Sequence, residues 1–460
     1  MSAASLRDQL EFMRDYYRGG HTRSHAYRRQ QLQKLKSAIL QHEKDLHDAL
    51  HADLKKSPEE SWVTETGFVL SEINAALRNL RHWMKPERVK TNLLNFPSSS
   101  HITREPMGVV LIIGPWNYPV QLLFTPLVGA IAAGNCVALK SSEFAPETSA
   151  IMKKVIKENF SEEYILFTEG EGAQVVPDLI NNFRFDHIFY TGSTAVGKII
   201  YKMAAEQLVP VTLELGGKSP CIIESDADVK VAARRIAMTK FSNAGQMCVT
   251  PDFVLVHSDI KEKFIQALKK TLTDFFSSDP STNYSYCKII NEKQFKRLVG
   301  YLNDGTIIHG GHHDLSKLYI EPTIIENVRP NASVMNDEIF GPILPVIPFE
   351  GFSQAKLIVD QNPNPLAFYV YTSSSEKEKT WLEAVPSGGA CVNNSSWHLT
   401  NHRLPFGGRG NSGTGEYHGK NSFETFSHRK AVLKTPTWFD PNIKYPPFKG
   451  KLWLFKKVVR

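Results

Sequence analysis

Cysteine is scarce in this chain: Cys136, Cys221, Cys248, Cys287 and Cys391 are the only five in 460 residues. They are odd in number, widely spaced and contain no Cys-x-x-Cys pair. That argues against a disulfide framework and a structural zinc site, and fits a reducing, cytoplasmic setting. Long apolar runs are missing too. The longest are broken by glycine and proline, so no spanning helix of about 20 apolar residues is expected. The start, Met1-Ser-Ala-Ala-Ser-Leu-Arg-Asp8, lacks an uninterrupted apolar core, and no secretory signal is visible. There is no internal repeat and no long low-complexity tract. Zinc-finger spacing and RNP-like aromatic motifs are absent, so the net charge of +7 does not imply a nucleic-acid partner. His309-Gly-Gly-His-His313 has no distant Cys or His partner, so no metal site is expected.

What is present is an ordinary globular composition, 42% hydrophobic and 22% charged. At 460 residues the chain is too long for one simple core, and two or three domains are expected. Residues 2–85 read as helical, with Leu32, Leu35, Ile39 and Leu46 at near-helical spacing. Asp53-Leu-Lys-Lys-Ser-Pro58 interrupts them, and Met84-Lys-Pro86 stops the second helix. Residues 88–104 are polar and extended, a linker or one strand of a projecting arm. Then short apolar runs begin: 108–114, 135–140, 164–167 and 187–190. They alternate with helical segments at 126–133, 148–159 and 195–206, which predicts a doubly wound α/β sheet. A second α/β block follows. Its strands are expected at 219–223, 253–256, 319–325 and 343–347, and its helices at 229–240, 261–276 and 292–302. The chain returns near Ser396. Residues 398–432 read as a long structured loop plus an extended strand.

Two stretches invite chemistry. Thr212-Leu-Glu-Leu-Gly-Gly-Lys-Ser-Pro220 carries Glu214 among apolar neighbours. Burial would raise its pKa and suit a general base; the alternative is a glutamate on an exposed strand end. Phe241-Ser-Asn-Ala-Gly-Gln-Met-Cys-Val-Thr-Pro-Asp252 carries Cys248, a nucleophile or a buried small hydrophobe. Pro115-Trp-Asn-Tyr-Pro119 follows the first apolar run. It offers Asn117 as a rigidly held amide donor, or is a proline-bounded turn with an aromatic plug. Lys140-Ser-Ser-Glu143 could hold a ribose. Gly192-Ser-Thr-Ala-Val-Gly197 is a plausible pyrophosphate cradle or an ordinary helix cap, and no GxGxxG fingerprint is present. Glu338-Ile-Phe-Gly-Pro342 could touch the other end of a dinucleotide, or be a strand-entry turn.

In this order the motifs resemble the aldehyde dehydrogenase superfamily. The matching stretches include Tyr190-Thr-Gly-Ser-Thr194 and Pro405-Phe-Gly-Gly-Arg-Gly-Asn-Ser-Gly413 and span 115–413, with similarity over nearly the whole chain. The length, Tyr417-His-Gly-Lys420, Phe423-Glu-Thr-Phe-Ser-His428 and Tyr445-Pro-Pro447 resemble its class 3 branch. The resemblance implies a Rossmann-like NAD(P)-binding domain (1–87 and 105–214) and a catalytic α/β domain (215–396). It also implies a small β oligomerisation arm (88–104 and 397–433), a C-terminal tail (434–460) and a homodimer.

The implied reaction is NAD(P)-dependent oxidation of an aldehyde to a carboxylic acid. Cys248 would form a thiohemiacetal and then a thioester, Asn117 and the Cys248 backbone N–H would hold the oxyanion, and Glu214 would activate water. Cofactor contacts carry over to Trp116, Lys140, Glu143, Gly192, Ser193, Thr194, Ala195, Val196, Gly197, Glu338 and Phe340. Glu143 favours NAD, while Lys140 and a mobile Glu143 leave NADP admissible. Tyr118, Met238 and Met247 are the expected apolar substrate pocket, which tilts towards medium-chain aliphatic or aromatic aldehydes.

Three residues depart from the family pattern. Ser141 replaces a common proline, Met247 a threonine, and Arg409 a small or apolar residue. The competing readings are a CoA-acylating or acyl-reducing relative and a non-catalytic binding protein; Glu214 speaks against the first. The aromatic and basic tail Lys451-Leu-Trp-Leu-Phe-Lys-Lys-Val-Val-Arg460 is too short to span a membrane. It could touch an anionic surface peripherally or pack on protein.

Overall fold

The computed structural model describes residues 5–329 and 331–458. Residues 2–4 of the expected helical start and Val459 and Arg460 of the expected tail lie outside that range. The chain opens with helices Leu6–Arg18, His25–Gln41, Glu43–Leu54 and Gly67–Trp83. Ser5 starts the first through a capping box with Asp8, which satisfies two otherwise orphaned backbone donors. The predicted stripe faces inward: Leu32, Leu35, Ile39 and Leu46 have no exposure. Each such burial contributes about 1.5–3 kcal/mol. The Lys-Lys-Ser-Pro break is real. Lys55 turns left-handed at φ 59°, Pro58–Ser61 forms one helical turn, and Trp62–Thr66 is a wider π turn.

Among the described residues the strands form four sheets, two of them large. The first has six strands, in spatial order Gly413–Thr414, Val211–Leu215, His187–Gly192, Val109–Ile113, Cys136–Lys140 and Ile165–Thr168. The first pairing is antiparallel and the rest are parallel. Strand order reverses between Val109–Ile113 and His187–Gly192, because later strands are added on both sides of the first. That reversal opens a crevice at their carboxyl ends, the usual ligand position in such sheets. The loops leaving those two strands carry Asn117 and Ser193.

The second sheet has seven strands, in order Thr306–His309, Thr323–Glu326, Ile343–Phe349, Phe253–His257, Pro220–Ile223, Ala367–Tyr371 and Gly389–Val392. A third sheet joins Glu87–Val89, Ser99–Pro106 and Ser427–Lys434, so part of the 88–104 segment is a strand and not a plain linker. Among the described residues no helix is long and apolar enough to cross a membrane.

Several expectations needed revision. The helix expected to begin at Pro126 begins at Pro119 and runs through Pro126 to Ala133. It is buried on nearly every side, so packing overrides the local penalty of an interior proline. A helix at Gly172–Asn182, with Pro177 inside, is not anticipated by the sequence reading. Nor are the elements between Ile347 and Ser396, including the fully buried strand Ala367–Tyr371.

Candidate active site

The site forms where the two opening stretches meet. Lys218, at the end of one, ion-pairs with Asp252, at the end of the other, and each side chain is only 1% exposed. Lys218 also donates to the carbonyls of Val334 (2.7 Å) and Asp337 (3.1 Å). Asp252 accepts from the Ile339 backbone N–H at 2.9 Å. One buried ion pair therefore ties the Glu214 strand, the Cys248 loop and the Glu338 segment together. Nothing in the sequence pairs Lys218 with Asp252, although both lie inside the two stretches singled out there.

Cys248 is presented by an irregular loop. Asn243 (φ 48°), Ala244 (φ 50°) and Gly245 (φ 73°) are consecutively left-handed, a conformation that only the glycine adopts freely. The surroundings hold it. Gln246 donates to the carbonyls of Asn243 and Lys288, both at 3.0 Å, and accepts from Ile290 N–H at 3.0 Å. A Cβ on Gly245 would sit 2.3 Å from the Gly341 carbonyl, so the position is closed to larger residues. Cys248 is half-buried. Burial pushes its thiol well above the ordinary range, and the carboxylates of Glu338 and Glu214 add to the effect.

Asn117 is buried and donates from Nδ2 to the Gln246 carbonyl at 3.0 Å. One amide proton is thus used to hold the side chain against the cysteine loop, and the second remains. Glu214 lies on strand Val211–Leu215, 3% exposed, and among the described residues neither carboxylate oxygen has a partner. Burial drives its carboxyl well above the ordinary range, with Glu416 adding in the same direction.

These three residues line one cavity of about 670 Å³, together with Trp116, Gly192 to Ala195, Glu338 and Phe340. The ring of Trp116 meets Phe340 edge-on at 5.4 Å. Phe340 is itself left-handed at φ 50°. Ser193 caps helix Thr194–Glu206, so the N-terminus of that helix faces the cavity. A Cβ on Gly216 would lie 1.9 Å from Glu338, so only glycine lets that carboxylate approach. Glu338 keeps one buried oxygen without a partner.

A helix N-terminus suits a pyrophosphate, and an unpaired buried carboxylate suits a ribose hydroxyl. The residues present therefore fit a nicotinamide dinucleotide.

Not every expected residue lines the cavity. Val196 and Gly197 stand behind the helix start. Lys140 and Glu143 also lie off the lining; they pair with each other at 3.2 Å, and Glu143 accepts from Gly172 N–H at 3.0 Å. Tyr118 is buried and Met247 half-buried, both outside the cavity lining. Met238 is 54% exposed on helix Val229–Phe241 and does not line the cavity. Its turn points outward because Ile236, Ala237 and Phe241 take the inward face of that helix.

The sequence reading missed Arg297, which lines the cavity and donates to the Ile339 carbonyl at 2.8 Å, steadying the Glu338 segment. Its helix was predicted, but helical spacing does not say what its arginine reaches.

Comparison with known proteins adds an independent line. Residues 3–432 match the aldehyde dehydrogenase family. The 4,4'-diaponeurosporen-aldehyde dehydrogenase of Staphylococcus aureus is 43% identical, with 96% of each chain covered. The dimeric NADP-preferring aldehyde dehydrogenase of Rattus norvegicus is 41% identical, over 98% of this chain and 99% of its own. The substrate-bound Staphylococcus aureus AldH superposes with a TM-score of 0.97 at 41% identity, over 99% of this chain and 100% of that one.

Proposed function

The chain belongs to the aldehyde dehydrogenase family and oxidises aldehydes with NAD or NADP, and on that premise we propose which residues carry the reaction. Cys248 loses its thiol proton to water in the cavity and attacks the aldehyde carbon as the thiolate, and the C–S bond forms as the carbonyl oxygen becomes an oxyanion. The free amide proton of Asn117 and the Cys248 backbone N–H hold that oxyanion. A nicotinamide dinucleotide held by Trp116, Gly192 to Ala195, Glu338 and Phe340 would supply the hydride acceptor for the substrate carbon. The resulting Cys248 thioester is cleaved by water. Glu214 takes the water proton, the C–S bond breaks, and the carboxylic acid and the thiol are released.

The observation that carries this reading is the meeting of Glu214, Cys248 and Asn117 on one cavity, with Glu214 buried and lacking any partner. Desolvation raises its carboxyl well above the ordinary range, so that once ionised it is a stronger base than a solvated glutamate. Trp116, Gly192 to Ala195, Glu338 and Phe340 are assigned to the dinucleotide, with Val196 and Gly197 continuing the pyrophosphate segment and Lys140 and Glu143 on the adenosine ribose. On this reading the five parallel strands of the six-stranded sheet belong to the cofactor domain (1–87 and 105–214) and the seven-stranded sheet to the catalytic domain (215–396). The test is Cys248→Ala. Aldehyde oxidation should fall by about 10⁴-fold or more; activity within tenfold of the parent would sink the assignment.

Medium-chain aliphatic or aromatic substrates remain the proposed class, supported by Met247 next to Cys248 in the chain, although neither Tyr118 nor Met247 lines the cavity itself. A panel with its best kcat/KM on a small charged semialdehyde would refute that. The third sheet supports a homodimer: strand Ser427–Lys434 is largely exposed in the single chain, and the rat relative is named dimeric. A monomer by light scattering at micromolar concentration would contradict it.

The tail carries exposed Leu452 and Trp453 close in sequence to Lys456 and Lys457, which supports peripheral contact with an anionic membrane. Failure to co-sediment with anionic vesicles would exclude this. The free state of all five cysteines supports a cytoplasmic location, to be checked by cell fractionation.

A further inference from the structure

The break between helices Glu43–Leu54 and Gly67–Trp83 holds an ion pair that the reaction above does not use. Lys56 and Glu65 are each 0% exposed, with Nζ and Oε1 2.6 Å apart. A buried pair of this kind is weak evidence for stability, because desolvation of both charges opposes their attraction. Such pairs are retained where they fix one geometry. This one is fully connected. Glu65 Oε2 accepts from the backbone N–H groups of Val120 (3.0 Å) and Gln121 (2.9 Å), in the first turn of helix Pro119–Ala133. Lys56 donates to the backbone carbonyl of Asn117 at 2.9 Å, and its ammonium lies 3.8 Å from the Tyr118 ring centroid. The pair thus grips the chain on both sides of Tyr118.

A second contact from the same segment reaches the nucleophile loop. Glu60 accepts from the Asn243 backbone N–H at 2.8 Å. Asn243, held left-handed there, donates from Nδ2 to the same Asn117 carbonyl at 2.9 Å. Asn117 in turn donates to Gln246. The Asn117 carbonyl is therefore fixed by two donors, and its side-chain amide is aimed by a third bond.

We propose that Lys56 and Glu65 are positioning residues for the oxyanion donor. They hold the Asn117 backbone so that its remaining amide proton meets the substrate oxygen at Cys248. The inference rests on the roles given above to Asn117 and Cys248. Both residues lie about 50–60 positions before Asn117 in sequence and neither lines the cavity. They reach the substrate only through the 117–121 segment they hold.

The test uses the full chain with Lys56→Met/Glu65→Gln, which removes both charges and keeps an acceptor for the two helix N–H groups. kcat should fall about 10–100-fold, because misplacement of an oxyanion donor weakens only the transition state. KM for the aldehyde should stay within about threefold, and alkylation of Cys248 by iodoacetamide, which forms no oxyanion, within about twofold. Combined with Asn117→Ala, the double variant should cost little further kcat, since both changes remove one interaction.

If that variant does not fold, Lys56→Arg keeps the charge opposite Glu65, displaces the donor, and should show the same split between kcat and KM. A kcat within about twofold of the parent overturns the proposal. So does alkylation slowing in step with kcat, which marks general loosening, or full additivity with Asn117→Ala. Cys248→Ala keeps the two readings apart: activity surviving there refutes the nucleophile, whereas its loss beside an unchanged Lys56→Arg refutes only the positioning role.

Discussion

Glu65 and Glu214 are both carboxylates removed from water, in two regions that meet at the same cavity. Glu65 is 0% exposed, with an ammonium and two backbone N–H groups on its oxygens. Glu214 is 3% exposed, with nothing on either oxygen. Burial alone does not separate a reactive carboxylate from a structural one; the number of partners does. A saturated group has no capacity left for substrate or water and can only fix geometry. An unsaturated one is destabilised when charged and gains from any proton or donor that arrives. Glu72 lies between them, 5% exposed with one partner, the Gly419 backbone N–H at 2.9 Å.

The largest effect expected along this series is at Glu214. Glu214→Gln should lower steady-state turnover by about 10²–10⁴-fold while a first-turnover burst of reduced cofactor survives. Loss of the burst as well would show that Glu214 acts before the thioester. The parent rate should rise with pH through a limb above the ordinary carboxylate range, since the base must be ionised and burial raises it. The Gln variant should lack that limb.

Glu72 should matter for stability. Its carboxyl is raised from 4.5 to about 7 by burial, against the bond from Gly419. Its stabilising contribution is complete below the unfolded value and is lost as pH rises through about 7. A shift of that size amounts to about 3 kcal/mol. Glu72→Gln should therefore melt higher relative to the parent at pH 8 than at pH 5. Equal shifts at both pH values would break the series.

The smallest effect is expected at Glu143, which is partnered by Lys140 and Gly172 yet partly open to solvent. Glu143→Gln should raise the NADP to NAD ratio of kcat/KM by up to about tenfold, by removing repulsion of a 2′-phosphate. An unchanged ratio would place Glu143 outside the ribose site.

The cavity and its chemistry were legible in the sequence to different degrees. Cys248, Glu214 and Asn117 could be named because each stands in a short motif whose glycines and prolines dictate its own backbone. The alternation of apolar runs with helical segments was enough for two α/β blocks. Met238 shows the limit: an apolar residue in the right neighbourhood turned outward, because the helix face was decided by Ile236 and Phe241. The helices that begin at Pro119 and Gly172 show another. Local proline rules place breaks at Pro126 and Pro177, yet both helices run through them, the first under packing on nearly every side.

By itself, then, the sequence determined the motif residues, the α/β class and the resemblance that names the chemistry, since these depend on contacts within a few positions. Only the tertiary structure decided that Lys218 closes on Asp252, that Lys56 and Glu65 hold Asn117, and that Glu214 is left without a partner. The reason is physical: whether a buried charge is satisfied depends on groups brought to it from distant parts of the chain, and no local pattern records their arrival.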